Sequence, residues 1–136
     1  GFAAQVAILD SNGRLQKLVA AHDAGKIMNQ MLFEGQIEGA LHMGMGYALT
    51  EDFPMSEGYP TSYKFNDIGI IRANEMPELK VIGIEEADPV GPYGAKGIGE
   101  IGLVPTAAAI ANALMAYDGV KRTKLPMRRT RIKSKG

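Results

Sequence analysis

The sequence predicts an α+β fold, and three observations carry that reading. Two apolar stretches flank a turn at the start of the chain, a long glycine-rich helical stretch follows, and an alanine-rich helical stretch stands near the end. A β-hairpin, a long glycine-rich helix, short strands and a second helix buried behind them can share one core. With 136 residues, the chain has room for one domain with a modest core and too few for two ordinary ones.

The elements follow in order. Gly1–Asp10 and Arg14–His22 are apolar-rich and roughly alternating, and Ser11-Asn12-Gly13 separates them. Asn-Gly readily takes the positive φ of a tight turn, so the pair reads as a hairpin. Asp23-Ala24-Gly25-Lys26 is a loop. From about Asn29 to Thr50 the apolar positions Met31, Leu32, Ile37, Leu41, Met45, Ala48 and Leu49 fit helical spacing better than strand alternation. This helix carries Gly35, Gly39, Gly44 and Gly46. Glycine in a helix interior costs about 1 kcal/mol against alanine, so these four predict close approach of another backbone or of a bulky ligand.

Phe53 to Asn74, rich in Pro, Gly, Ser and Tyr, reads as a long excursion with short strands. Leu79–Glu85 is a strand after the Met76-Pro77 break, and Asp88–Gly102 is too glycine-dense to be regular. Pro105 then opens a helix over Thr106–Tyr117, and Gly119 stops it. That helix is apolar all round and is expected to be buried. There is no internal repeat and no low-complexity segment.

Composition is that of an ordinary globular protein, 46% hydrophobic and 22% charged. No apolar run has the length of a membrane span, and no signal-peptide pattern opens the chain. The lack of cysteine excludes disulfides, thiolate-held zinc and iron–sulfur ligation by this piece, and fits a cytoplasmic location. The first residue is Gly1, already strand-like in context, so a piece of a longer chain is expected. Net charge is zero but unevenly spread. Lys121–Lys135 holds eight of the fifteen Lys and Arg residues and no acidic one, leaving seven basic against fifteen acidic residues before it. We therefore divide the chain into a body, 1–120, and a basic tail, 121–136. Such a tail could meet nucleic acid or an acidic surface. Without aromatic residues to stack bases, a solvated terminus, or one lying on its own acidic body, is preferred.

Gly91-Pro92-Tyr93-Gly94-Ala95-Lys96-Gly97-Ile98-Gly99-Glu100 is the most informative segment. Four glycines in nine residues let backbone fold tightly and present N–H groups to an anion or a large planar ligand. A carboxylate held there out of bulk water would serve as a proton acceptor. Composition alone equally describes a glycine-rich turn with a surface Lys–Glu pair. The segment matches neither the phosphate-loop nor the dinucleotide fingerprint. Glu38 and His42 are four apart on the long helix, but two ligands without a third make a poor metal site, and no metal ligand is assigned. His22-Asp23 resembles an acid–base pair only superficially. Gln36 can donate and accept, which suits a heterocycle. No serine or cysteine elbow supports hydrolysis.

Gly35-Gln36-Ile37-Glu38-Gly39-Ala40, with Gly44-Met45-Gly46-Tyr47-Ala48-Leu49-Thr50-Glu51, resembles the molybdopterin-binding stretch of the xanthine dehydrogenase and aldehyde oxidase family. Tyr93 to Glu100 is similar to that family's active-site loop, and Leu103 to Ala113 to the helix after it. The likeness extends to about Leu125. It implies that the chain is the C-terminal portion of a molybdenum-binding catalytic subunit, an oxidoreductase acting on an N-heterocycle or an aldehyde. Glu100 then matches the glutamate that takes a proton from a water-derived hydroxyl on molybdenum. Gln36 matches a glutamine that hydrogen-bonds the pterin, and the backbone of Lys96, Gly97, Ile98 and Gly99 matches the loop beside the metal. The implied cofactor is molybdenum-molybdopterin, either as such or as its cytosine dinucleotide, with the metal on pterin sulfurs and not on side chains. The implied partners are the rest of the molybdenum subunit and iron–sulfur and FAD domains or subunits, with a small-molecule substrate and no membrane.

Two positions depart from the family pattern. Met43 stands where many relatives have a second glutamine, and Ile101-Gly102 where many have a proline pair. Both resemble the selenium-dependent xanthine or purine hydroxylases. Family subunits are several times longer, so the chain by itself is expected to be inactive. A scaffold remnant of the same fold, or a nucleic-acid module built on the tail, stand as the alternatives.

Overall fold

The computed structural model describes residues 1–127. Strands β1 (Ala3–Leu9) and β2 (Leu15–Asp23) form an antiparallel hairpin. The turn closes as expected: Gly13 sits at φ 76°, and the Asp10 carboxylate accepts from the Asn12 and Arg14 amides. Helix α1 (Gln30–Leu49) follows; Asn29 caps it through a bond from the Leu32 amide. The expected excursion holds the two-residue strands β3 (Met55–Ser56) and β4 (Tyr59–Pro60) and a helical turn, α2 (Phe65–Ile68). Strand β5 (Glu78–Ile84) returns parallel to β2, giving a three-stranded sheet in the order β1-β2-β5. Helix α3 (Thr106–Asp118) ends at Gly119, φ 72°.

One face of the sheet is covered. Leu18 and Ala20 of β2 join Phe33, Ile37, Leu41, Met45 and Ala48 of α1 and Ile110 and Leu114 of α3 in the core. The α1 residues recur at helical spacing, which gives the helix one buried stripe. The opposite sheet face leaves Val6, Ile8, Ile82 and Ile84 exposed.

Helix α3 differs from the expectation of full burial. It rests on β1 and α1, and only Thr106, Ile110 and Leu114, one per turn, are buried. Met115 is 44% exposed. One sheet and one helix are too few layers to surround it, and its outward alanines present little apolar surface. The first residues of the basic segment are packed against the body. Arg122 is bidentate on Asp118 with both side chains fully buried, and Met127 lies in the core. The rest of the tail, 128–136, lies outside the described residues. Among the described residues no helix is long and apolar enough to cross a membrane.

Candidate active-site loop and cofactor cavity

Backbone hydrogen bonds build the loop between β5 and α3. Asp88 accepts from the Val90 and Gly91 amides and its own amide donates to the Gly94 carbonyl. Tyr93 (φ 54°) and Gly94 (φ 79°) both take left-handed backbone there, a conformation that is strained for tyrosine and free for glycine. The Lys26 amide donates to Gly94, and the Lys96 amide to Ala24, so the loop is stitched to the chain leaving β2. Gly25 (φ 59°) must be glycine at this crossing, because a Cβ would strike the Gly94 carbonyl oxygen.

Lys96 reaches back under the loop. Its ammonium donates to Asp23 Oδ2 at 2.6 Å, and both side chains are largely buried. That hydrogen bond, with one from the Gly25 amide, holds the Asp23 carboxyl below its ordinary value. Beyond Lys96 the backbone is bare. A Cβ added at Gly97 or Gly99 would meet nothing within 4 Å, and the same holds at Gly35 and Gly39 on α1. Gln36, exposed on α1, donates to the Gly99 carbonyl at 2.7 Å.

Between the α1 N-terminus and this loop lies a cavity of about 420 Å³ lined by Ile27, Leu32, Phe33, Gln36, Ile98 and Gly99 among others. It has the volume of a small-molecule site, apolar with a few polar groups. The structure thus brings Gln36, Lys96, Ile98 and Gly99 to one cavity, although the Lys96 ammonium is engaged by Asp23. Gly97 and Glu100 adjoin it without lining it, and Glu100 is exposed. The Glu38–His42 pair is not a metal site: His42 Nε2 donates to the Ile71 carbonyl at 2.8 Å. Among the described residues no cluster of three potential metal ligands occurs.

The family model of a molybdopterin cofactor-binding domain matches residues 3–77, more than half of the chain. The chain belongs to this family. The subunit gamma of the 6-hydroxypseudooxynicotine dehydrogenase complex of Paenarthrobacter nicotinovorans is 39% identical over 87% of the chain. The putative xanthine dehydrogenase molybdenum-binding subunit of Escherichia coli is 32% identical over 87%. Among solved structures, aldehyde oxidoreductase from Desulfovibrio gigas superposes with a TM-score of 0.77 over 87% of the chain at 32% identity. Quinoline 2-oxidoreductase from Pseudomonas putida 86 gives 0.77 over 88% at 27%. The chain spans only 16% of the length of the first two relatives and 13% and 16% of the two structures. It is therefore similar to one part of a molybdenum-binding subunit, and the α+β architecture is that of this part.

Sequence reading passed over Gln5 and the pairing of Asp23 with Lys96. The signal for Gln5 was present: it takes an inward position in a strand whose other inward residues, Ala3, Ala7 and Leu9, are apolar.

Proposed function

We propose that the chain is the C-terminal part of the catalytic subunit of a molybdenum hydroxylase, and that Glu100 accepts the proton released as a small molecule is hydroxylated. The convergence of Gln36, Lys96, Ile98 and Gly99 on one cavity carries this reading. The residues fit a large, flat, polar cofactor. Gly35, Gly39, Gly97 and Gly99 have open space where a side chain would stand, which leaves α1 and the loop accessible there, and the cavity walls are mainly apolar.

Molybdopterin, carrying the metal on its own sulfurs, would supply the electron acceptor and the activated water. Gln36 would hold it through the carboxamide, and the backbone of Lys96, Gly97, Ile98 and Gly99 would close against it. Glu100, the residue after Gly99, is an exposed carboxylate that can take up a proton at the rim. Apolar walls beside it would exclude water once the rest of the subunit covers the site. The substrate class is an N-heterocycle or an aldehyde. Electrons would leave through iron–sulfur and FAD subunits, and the chain alone would not turn over, since it spans so little of its relatives.

Purified with the remainder of the subunit and its partners, the complex is expected to contain molybdenum, and Gln36→Leu to lower that content. A folded, complete complex free of molybdenum would overturn the proposal.

A further inference from the structure

We propose that Gln5 is a positioning residue for Glu100, acting through the Gly102 carbonyl. The inference rests on the reading of Glu100 as proton acceptor, but its structural half stands independently of it.

Gln5 is a polar side chain on the covered face of an edge strand, a costly place for a carboxamide without partners. Its Nε2 donates to the Gly102 carbonyl at 2.5 Å and lies 3.3 Å from Nε2 of His22. A carboxamide nitrogen carries two protons, enough for both acceptors. His22 is fully buried on the neighbouring strand, diagonal to Gln5, since Ala3 pairs with His22 and Gln5 with Ala20. Burial lowers its pKa, which keeps the ring neutral and one ring nitrogen free to accept. The Gly102 carbonyl, which can only accept, fixes which way the amide points. Turned over, its oxygen would face the Gly102 oxygen, and the bond to the loop would be lost.

Upstream of Glu100, Lys96 is tied to Asp23, Ile98 packs against the core, and Gln36 holds the Gly99 carbonyl. The other hold on Glu100 comes from the downstream side. There the Leu103 amide donates to the Glu100 carbonyl at 3.2 Å, closing a turn that contains Gly102. Gly102 is wedged on α1, where an added Cβ would lie 2.5 Å from the Ala40 Cβ. Gln5 ties this turn to the sheet, so its carboxamide and the α1 surface together set where Glu100 stands. A base displaced by an ångström loses much of its rate.

Gln5→Met keeps the length of the side chain and removes both N–H donors, so nothing is left to donate to Gly102. In the 136-residue chain, hydrogen exchange of the Gly99–Leu103 amides is expected to rise about tenfold while the sheet amides hold. In the complete complex, kcat should fall about tenfold with KM and molybdenum content nearly unchanged. Unchanged exchange in the loop overturns the clamp. Raised exchange with unchanged kcat, in an enzyme that Glu100→Gln inactivates, overturns the positioning role. Turnover retained in Glu100→Gln overturns the reading of Glu100 and leaves the clamp supported by exchange. Should Gln5→Met not fold, the wild-type chain decides: both Gln5 carboxamide protons are expected to be protected from solvent in NMR, and free exchange of both contradicts the proposal.

Discussion

The two halves of α1 use glycine in opposite ways. Gly44 and Gly46 are buried, and each has something where a side chain would be. A Cβ on Gly44 would lie 2.6 Å from the Thr106 side chain of α3, and one on Gly46 would strike the Glu51 carboxylate. Gly35 and Gly39 are exposed and have nothing within 4 Å. Gly44 lets α3 approach and Gly46 makes room for the Glu51 side chain; the second pair brings no contact to the fold and costs it helix propensity. The contrast teaches that one half of the helix is shaped by the domain's own packing. The other half, beside Gln36, carries glycines that the domain's own packing does not require.

The largest expected effect comes from filling a closed glycine. Gly44→Val must push Thr106 aside in a packed helix crossing, and it is expected to cost about 1–3 kcal/mol in urea unfolding. An unchanged midpoint would break the comparison.

Acid is expected to act on the buried histidine before the carboxylate that holds the loop. Asp23 has its folded pKa depressed below the ordinary 3.8, first by the Lys96 hydrogen bond and then by the Gly25 amide. Its contribution is therefore present above about pH 4, where the unfolded carboxyl is ionised, and is lost as pH falls through the lower folded value. His22 has the same sign, because a buried neutral ring resists the proton that the unfolded chain takes up below about pH 6.5. Urea unfolding followed from neutral pH downward should show stability falling in two stages. Asp23→Asn should flatten the lower stage and leave the upper one.

The smallest effect has the opposite sign to the first. Gly35→Ala in the free chain should stabilise α1 by up to about 1 kcal/mol, since nothing opposes the methyl group. In the assembled complex the same change should lower molybdenum content. A destabilised free chain would show that the open face is already in use.

What the sequence made legible was local. Asn12-Gly13, Met76-Pro77, Pro105 and Gly119 mark turns and element ends through their own backbone preferences, α1 shows in its apolar spacing, and the hairpin, α1, β5 and α3 lie where those marks put them. The pairing of β5 with β2, and not with β1, is non-local and carries no such mark. The burial of α3 was overstated because alanines count as apolar in any hydropathy reading, although their small side chains can face solvent at little cost. At the site, Gln36 and the Lys96–Gly99 loop were legible through the motifs they stand in. The partners that hold the loop were not. Lys96 meets Asp23 across 73 positions, and Gln5 meets Gly102 across 97, so no short pattern contains either pair.

Glu100 offers the most direct test of the whole account. Glu100→Gln keeps the side chain's size and removes its capacity to take a proton, so in the complete molybdenum-containing complex hydroxylation should be abolished with metal content intact. Turnover at the wild-type rate in that variant would contradict it.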